Sequence, residues 1–302
     1  MKRYVLTGIV LAVAGSLVVT QAKAEGGPTL VYVNDQEPVM TNEPQIEDGR
    51  TLVEYRAVME ALDVEVRWDQ ETQTIETTSP EGDQIELTIG ETEATVNGKT
   101  HELDIAPRVE NERAIIPLRF ISEASGYQVD WGQEVNMIHV NDGTASSHDF
   151  ALPPLGEETL QDAEAGQVGP FPYDLEEWSV AEVINEYGLP DGRSDGTPDS
   201  GDVPYLTYGD YAVTFLGADN GESAQEEWYE RDIVSQGEVT EIQALLDGNT
   251  VQDVVDAFGE PDYTEEGMYT TLAYDTGDYR LAVRTEADRS TAAAYYYNVL
   301  PR

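Results

Sequence analysis

Arg50-Thr-Leu-Val-Glu-Tyr-Arg-Ala-Val-Met-Glu-Ala-Leu-Asp-Val-Glu-Val-Arg-Trp68 returns 63 residues later as Arg113-Ala-Ile-Ile-Pro-Leu-Arg-Phe-Ile-Ser-Glu-Ala-Ser-Gly-Tyr-Gln-Val-Asp-Trp131. The shared frame is an arginine, an apolar pair, a second arginine six residues on, Glu-Ala, and a closing Val-x-Trp. Self-similarity at a fixed spacing marks one supersecondary unit used twice, with the copies packed on each other. It describes architecture and not chemistry.

Around this frame the chain alternates between strand and helix patterns. Residues 29–33 read as a short strand ending in the turn residues Asn34-Asp35. Leu52, Val53, Tyr55, Val58, Met59 and Leu62 fall at helical spacing and predict a helix over residues 52–62. Strands follow at 64–68, 74–77, 85–89 and 93–96, and Asn97-Gly98 is a two-residue hairpin signal. The second copy predicts a helix over 117–125, where Pro117 suits the first turn, then strands over 128–131 and 136–140.

The segment from about Leu30 to Asn141 resembles the copper amine oxidase N-terminal-like (stalk) domain of secreted bacterial proteins, whose hallmark is a doubled "nGrtlVPlRavaEaLGaeVxWd" unit. Two positions depart from it, Glu54 in place of proline and Asp63 in place of glycine. The resemblance implies a non-catalytic α+β module and, despite the family's name, no copper.

Residues 143–166 are small, acidic and proline-containing, and read as a linker. Beyond them lies a second doubling. Ser179-Val-Ala-Glu-Val-Ile-Asn-Glu-Tyr-Gly-Leu-Pro-Asp191 recurs at a spacing of 71 as Thr250-Val-Gln-Asp-Val-Val-Asp-Ala-Phe-Gly-Glu-Pro-Asp262. Ser179 and Thr250 each precede an acid three residues on, as in a capping box. Gly188 and Gly259 stand where a left-handed C-cap is expected, and Pro190 and Pro261 stop the helix. Tyrosine-rich strands follow each copy. This half resembles an uncharacterised extracellular tandem-repeat domain family of Bacillus relatives. More loosely it is similar to β-lactamase inhibitory proteins and small outer-membrane-assembly lipoproteins, all of which are binding or assembly modules.

The first 24 residues read as a signal peptide: Lys2 and Arg3, an apolar run, then the small-residue cleavage site Ala22-Lys23-Ala24. No stop-transfer flank follows, so no membrane span is expected after cleavage. The chain carries 60 Asp and Glu against 16 Lys and Arg, a net charge of −44, and Lys99 is the one lysine beyond residue 24. Its 17 tyrosines and 40% hydrophobic content supply cores that a disordered acidic chain lacks. At about 1 M salt the screening length shrinks to roughly 3 Å, which relieves the self-repulsion of such a surface. An exported protein of a salt-loving Gram-positive bacterium is the expectation. A nucleic-acid partner is disfavoured for want of a basic patch. The absence of cysteine excludes thiol catalysis, disulfides and Cys-based metal sites.

Candidate chemistry is sparse. Gly192-Arg193-Ser194-Asp195-Gly196 matches the G-x-S-x-G pattern, but turn residues flank it where a strand and a helix are needed, so it reads as a loop. His101, His139 and His148 make no ligand pair. Asp191, Asp195, Asp199 and Asp202 crowd one loop and form the only metal candidate, a calcium loop. In a chain with so many acids they read equally as a solvated loop. Arg56 with Glu60 and Arg119 with Glu123 form matched helical i,i+4 pairs. Trp68 and Trp131 read as core anchors of the two copies, with a carbohydrate-stacking surface as the alternative. Tyr205, Tyr208, Tyr211, Tyr274 and Tyr279 either pack within their sheet or present a binding face.

The resulting expectation is an α+β chain of two domains, each a tandem repeat of a short helix plus antiparallel strands. Residues 1–24 are the signal peptide, 25–142 the stalk domain, 143–166 an acidic linker and 167–302 the second repeat domain. Function reads as a secreted, non-catalytic envelope protein in which the stalk domain attaches and the second domain binds a protein or cell-wall polymer, without a cofactor. The alternatives are an extracellular enzyme inhibitor or a carboxylate-based hydrolase.

Overall fold

The computed structural model describes residues 29–80, 82–144, 148–152, 154–173, 175, 178–194, 204–216, 238–246, 249–266, 270–285 and 294–301. The expected signal peptide lies outside them. The chain is mixed α+β and mostly β. It divides into two compact units that are discontinuous in sequence. The first comprises Lys23–Asp149 and Trp178–Arg193, and the second contains Phe150–Glu177 and Ser194–Arg302.

The elements through residue 102 are β1 (Leu30–Val33), β2 (Gln45–Glu47), β3 (Arg50–Glu54), α1 (Tyr55–Ala61), β4 (Glu65–Asp69), β5 (Thr74–Thr78), β6 (Gln84–Thr88), β7 (Glu93–Val96) and β8 (Lys99–Glu102). Then come β9 (Arg108–Glu110), β10 (Arg113–Pro117), α2 (Leu118–Ala124), β11 (Gln128–Gly132), β12 (Met137–Asn141), α3 (Glu157–Glu164), β13 (Gln167–Val168) and β14 (Phe171–Pro172). The remainder are α4 (Val180–Tyr187), β15 (Gly192–Ser194), β16 (Tyr205–Tyr208), β17 (Tyr211–Leu216), β18 (Glu238–Leu245), α5 (Val251–Phe258), β19 (Tyr263–Glu266), β20 (Thr270–Thr276), β21 (Tyr279–Thr285) and β22 (Ala294–Pro301).

In the first unit the central sheet runs β2-β3-β10-β9, with β3 and β10 antiparallel. Val53 stands opposite Ile116, Leu52 opposite Pro117 and Glu54 opposite Ile115. The hairpins β2-β3 and β9-β10 turn through paired positive-φ residues, Asp48-Gly49 and Asn111-Glu112. Positive φ at both central positions matches the twist of the flanking strands. Each helix packs against both central strands, β3 and β10. The helices are shorter than their spacing predicts, because Leu52 and Val53 belong to β3 and Pro117 precedes α2 as its N-cap. Pairing between β3 and β10 overrides the helical spacing of those residues.

Two further sheets flank this centre, the antiparallel meander β4-β5-β6-β7-β8 and the three-stranded β1-β12-β11. Strand β1 pairs in parallel with β12. Val31, Val33, Ile138 and Val140 join the main core with Val53, Val58, Ile75, Ile116 and Ile121. The alternate residues Leu30, Tyr32, Met137 and His139 are buried as well. Helix α4 accounts for this, packing Val183 and Ile184 where it meets β1 and β12.

In the second unit the antiparallel order from β16 onward is β16-β17-β18-β22-β21-β20-β19. Helix α3 packs against β13, β20, β21 and α5, burying Thr159 and Ala163. This corrects the linker reading of residues 143–166 over its last stretch, residues 157–166. Helices α4 and α5 open with the expected capping boxes. The Ser179 hydroxyl accepts from the Glu182 N–H at 3.2 Å while the Glu182 carboxylate accepts from the Ser179 N–H at 2.8 Å, and Thr250 with Asp253 repeats this. Their C-caps differ from expectation. Gly188 and Gly259 combine φ of 79° and 84° with ψ near 180°, a region that only glycine reaches comfortably. Gly192–Ser194 is strand β15 and not loop.

Candidate functional site

Along β4, Val66 and Trp68 lie on one face of the sheet, and Trp68 stands beside Ile75 of the neighbouring β5. Ile75 is buried in the core, but Trp68 sits at its rim and keeps 41% of its surface exposed. The hairpin β9-β10 supplies the facing wall through Val109, Glu112, Arg113 and Ala114, and the start of α1 supplies Glu54, Tyr55 and Arg56. Gln70 and Gln73 close one end from the β4-β5 turn, and the groove encloses about 640 Å³. Val109 is 51% exposed. The groove is thus an apolar floor and an indole face, ringed by guanidinium, amide and carboxylate groups.

Its charges are held in place. Glu54 is buried, and its carboxylate accepts from the backbone N–H and the side-chain amide of Asn42, the latter at 2.7 Å. Asn111 in turn donates to the Asn42 side-chain oxygen at 2.6 Å. Arg113 Nε lies 3.9 Å from Glu54. The departure from proline at position 54 therefore puts a buried anion behind an arginine of the groove wall. Arg56 lies 3.8 Å from Glu60 on the exposed side of α1. Burial raises the pKa of Tyr55, so its hydroxyl, in contact with that of Thr77, stays protonated.

The reading of Trp68 and Trp131 as core anchors is corrected by their exposure, 41% and 39%. Each ring stands on an edge strand, β4 or β11, where no further strand covers it. The Arg119–Glu123 pair matches Arg56–Glu60 at 3.9 Å and is also exposed. Tyr208, Tyr211 and Tyr274 are buried, and Tyr205 and Tyr279 are half-buried. Phe171 packs its ring 5.8 Å from that of Tyr208 and 5.7 Å from that of Tyr211, while Tyr279 meets Tyr173 edge-on at 4.7 Å. Asp191 is exposed, and Asp195, Asp199 and Asp202 lie outside the described residues. Among the described residues no group of three or more His, Asp or Glu is placed to hold a metal. No described helix is long and apolar enough to cross a membrane.

Sequence reading missed Gln70, Gln73 and Val109 as groove residues and Glu54 as a buried anion. The available signal was the pairing of a frame-ending tryptophan with a proline position occupied by glutamate.

Residues 32–140 match the family model of the copper amine oxidase N-terminal domain, a non-catalytic part of that enzyme family. Residues 157–300 match that of a domain of unknown function, DUF4309. A crystal structure of a DUF4309 family protein (YjgB) from Bacillus subtilis subsp. subtilis str. 168 is similar at 18% identity, over 47% of this chain and 93% of that chain, with a TM-score of 0.30. No curated protein matches the chain. The first half of the chain is thus similar to copper amine oxidase N-terminal domains and the second half to DUF4309 domains.

Proposed function

We propose that this is a secreted, non-catalytic accessory protein of the cell envelope that holds a wall glycan in the Trp68 groove of its first unit. The observation that carries the reading is the half-exposed Trp68 over an open groove rimmed by Arg56, Arg113, Gln70 and Gln73. A pyranose ring offers an apolar C–H face and a hydroxyl rim. An indole plane with flanking donors and acceptors matches both, and binding sites are commonly concave and apolar with a few placed polar groups. Leaving a tryptophan half in water forgoes hydrophobic stabilisation that folding could have taken, which favours a role at the surface.

Export rests on the N-terminal apolar run with its Ala22-Lys23-Ala24 site, and the acidic composition suits a saline exterior. The 63-residue frame is read as one unit used twice, and the second half as a packed accessory domain. Between a protein and a wall polymer as partner, the groove's chemistry favours the polymer. The test is retention of the full chain on purified cell-wall sacculi in multimolar salt. Trp68→Ala is expected to weaken retention by about 30-fold, the scale of losing a tryptophan that dominates a site. Undiminished retention of that variant would sink the proposal.

A further inference from the structure

The groove at Trp68 has a counterpart. Adding 63 to the residues of α1, β2, β3, β4 and β5 reproduces the bounds of α2, β9, β10, β11 and β12. Pairing registers match too. Trp68 stands opposite Ile75 and Trp131 opposite Ile138, while Val109 stands opposite Ala114 and Ile46 opposite Thr51. Because β3 and β10 pair through equivalent residues, the hairpin that faces one tryptophan in the first groove maps onto the β2-β3 hairpin for the other. Exposure follows the same correspondence. Trp131 is 39% and Ile46 54% exposed, against 41% for Trp68 and 51% for Val109. Among the described residues, four of the large apolar side chains left in water are therefore two matched pairs.

We infer that the first unit carries a second glycan-binding groove around Trp131, so that the protein grips a polymeric glycan at two places. This rests on the reading of the Trp68 groove as a glycan site. Arg119 takes the place of Arg56, Arg50 that of Arg113, Gln133 that of Gln70, and Asn136 that of Gln73. The polar rim survives in both copies. Acceptors differ. Pro117 and Gly49 replace Glu54 and Glu112, and the counter-ion of Arg50 is Asp104 at 2.5 Å. The second groove thus keeps the ring and the donors of the first with fewer carboxylates, and takes the same ligand class with its own preference among sugars. A repeating polymer can occupy both grooves of one molecule. The second contact is then intramolecular, and joint engagement strengthens retention over either groove alone.

The experiment compares the full chain with Trp68→Ala, Trp131→Ala and the double variant, each with circular dichroism to establish folding. Two probes are used in multimolar salt, intact sacculi for retention and muramidase-released glycan fragments for calorimetric stoichiometry. Two fragments per wild-type chain and one per single variant are expected. Retention on sacculi should fall by at least tenfold in each single variant and vanish in the double. Trp131→Phe, which keeps an aromatic face, should retain most of the binding. One fragment per wild-type chain, with Trp131→Ala unchanged and Trp68→Ala inactive, would overturn the second groove and leave the first standing. No change in any folded variant would overturn both.

Discussion

Val53 and Ile116 stand directly opposite each other across β3 and β10, and each occupies the same place in the 63-residue frame. The pair therefore lies where the two copies meet on their own symmetry, and both side chains are fully buried. Neither copy completes its core alone, since α1 leans on β10 and α2 on β3.

Coupling across this pair is the first consequence. Val53→Ala and Ile116→Ala should each destabilise the first unit by about 2–4 kcal/mol. The double variant should depart from additivity by about 0.5–3 kcal/mol, as contacting residues do. Denaturant unfolding of the four-member cycle measures it, and strict additivity would argue against a shared core.

Glu54 should matter for stability as well as for the groove. Glu54→Ala leaves two buried donors of Asn42 without their acceptor and removes the carboxylate near Arg113. A loss of about 1–3 kcal/mol follows from unsatisfied buried groups. Glu54→Gln keeps one acceptor oxygen and should recover part of it in the same unfolding assay.

Asp63 holds φ of 55° where its counterpart Gly126 holds 91°. A residue with a Cβ pays about 1 kcal/mol or more in the left-handed region, and aspartate somewhat less. Asp63→Gly should therefore leave stability unchanged or raise it by a few tenths of a kcal/mol, whereas Gly126→Ala should lower it by about 1 kcal/mol. Thermal midpoints of the two variants, moving in these directions, check the assignment.

Much of this architecture was legible because it is written locally. Asn97-Gly98, with φ of 53° and 74°, and the Ser179 and Thr250 capping boxes need only neighbouring residues to form. What escaped depends on distant partners. Leu52 and Val53 look helical by spacing, yet a strand more than 60 residues away draws them into a sheet. Helix α3 buries little beyond Thr159 and Ala163, too small an apolar face to stand out in an acidic stretch. Tyr208 and Tyr211 face each other across the β16-β17 hairpin as surface tyrosines could, and the distant Phe171 of β14, with Phe150 on Tyr208, covers them. Trp68 fits a core pattern by type, and its exposure follows from the place of β4 at the edge of its sheet.

Burial lowers the pKa of His139, against the opposing pull of Asn34, Asp130, Asn185 and Asp142. The folded state thus favours the neutral ring, and the unfolded chain takes up the proton first. Stability from this residue is unaffected above about pH 6.5, its ordinary value. It declines as pH falls from there toward the lowered folded value, with a slope of at most about 1.4 kcal/mol per pH unit. His139→Gln should flatten that decline. Ile184→Ala, which loosens the α4 cover, should cost about 2–5 kcal/mol and bring the His139 titration, followed by NMR, closer to its ordinary value.

The central claim is that the first unit's groove, and not the tyrosine strands of the second, is the binding face. Hydrogen–deuterium exchange of the full chain, with and without muramidase-released wall glycan in multimolar salt, tests it most directly. Slower exchange at residues 66–75 and 108–114, with the strands 205–216 and 270–285 unchanged, is the predicted result. Protection confined to those tyrosine strands, or none anywhere under saturating glycan, would contradict the account.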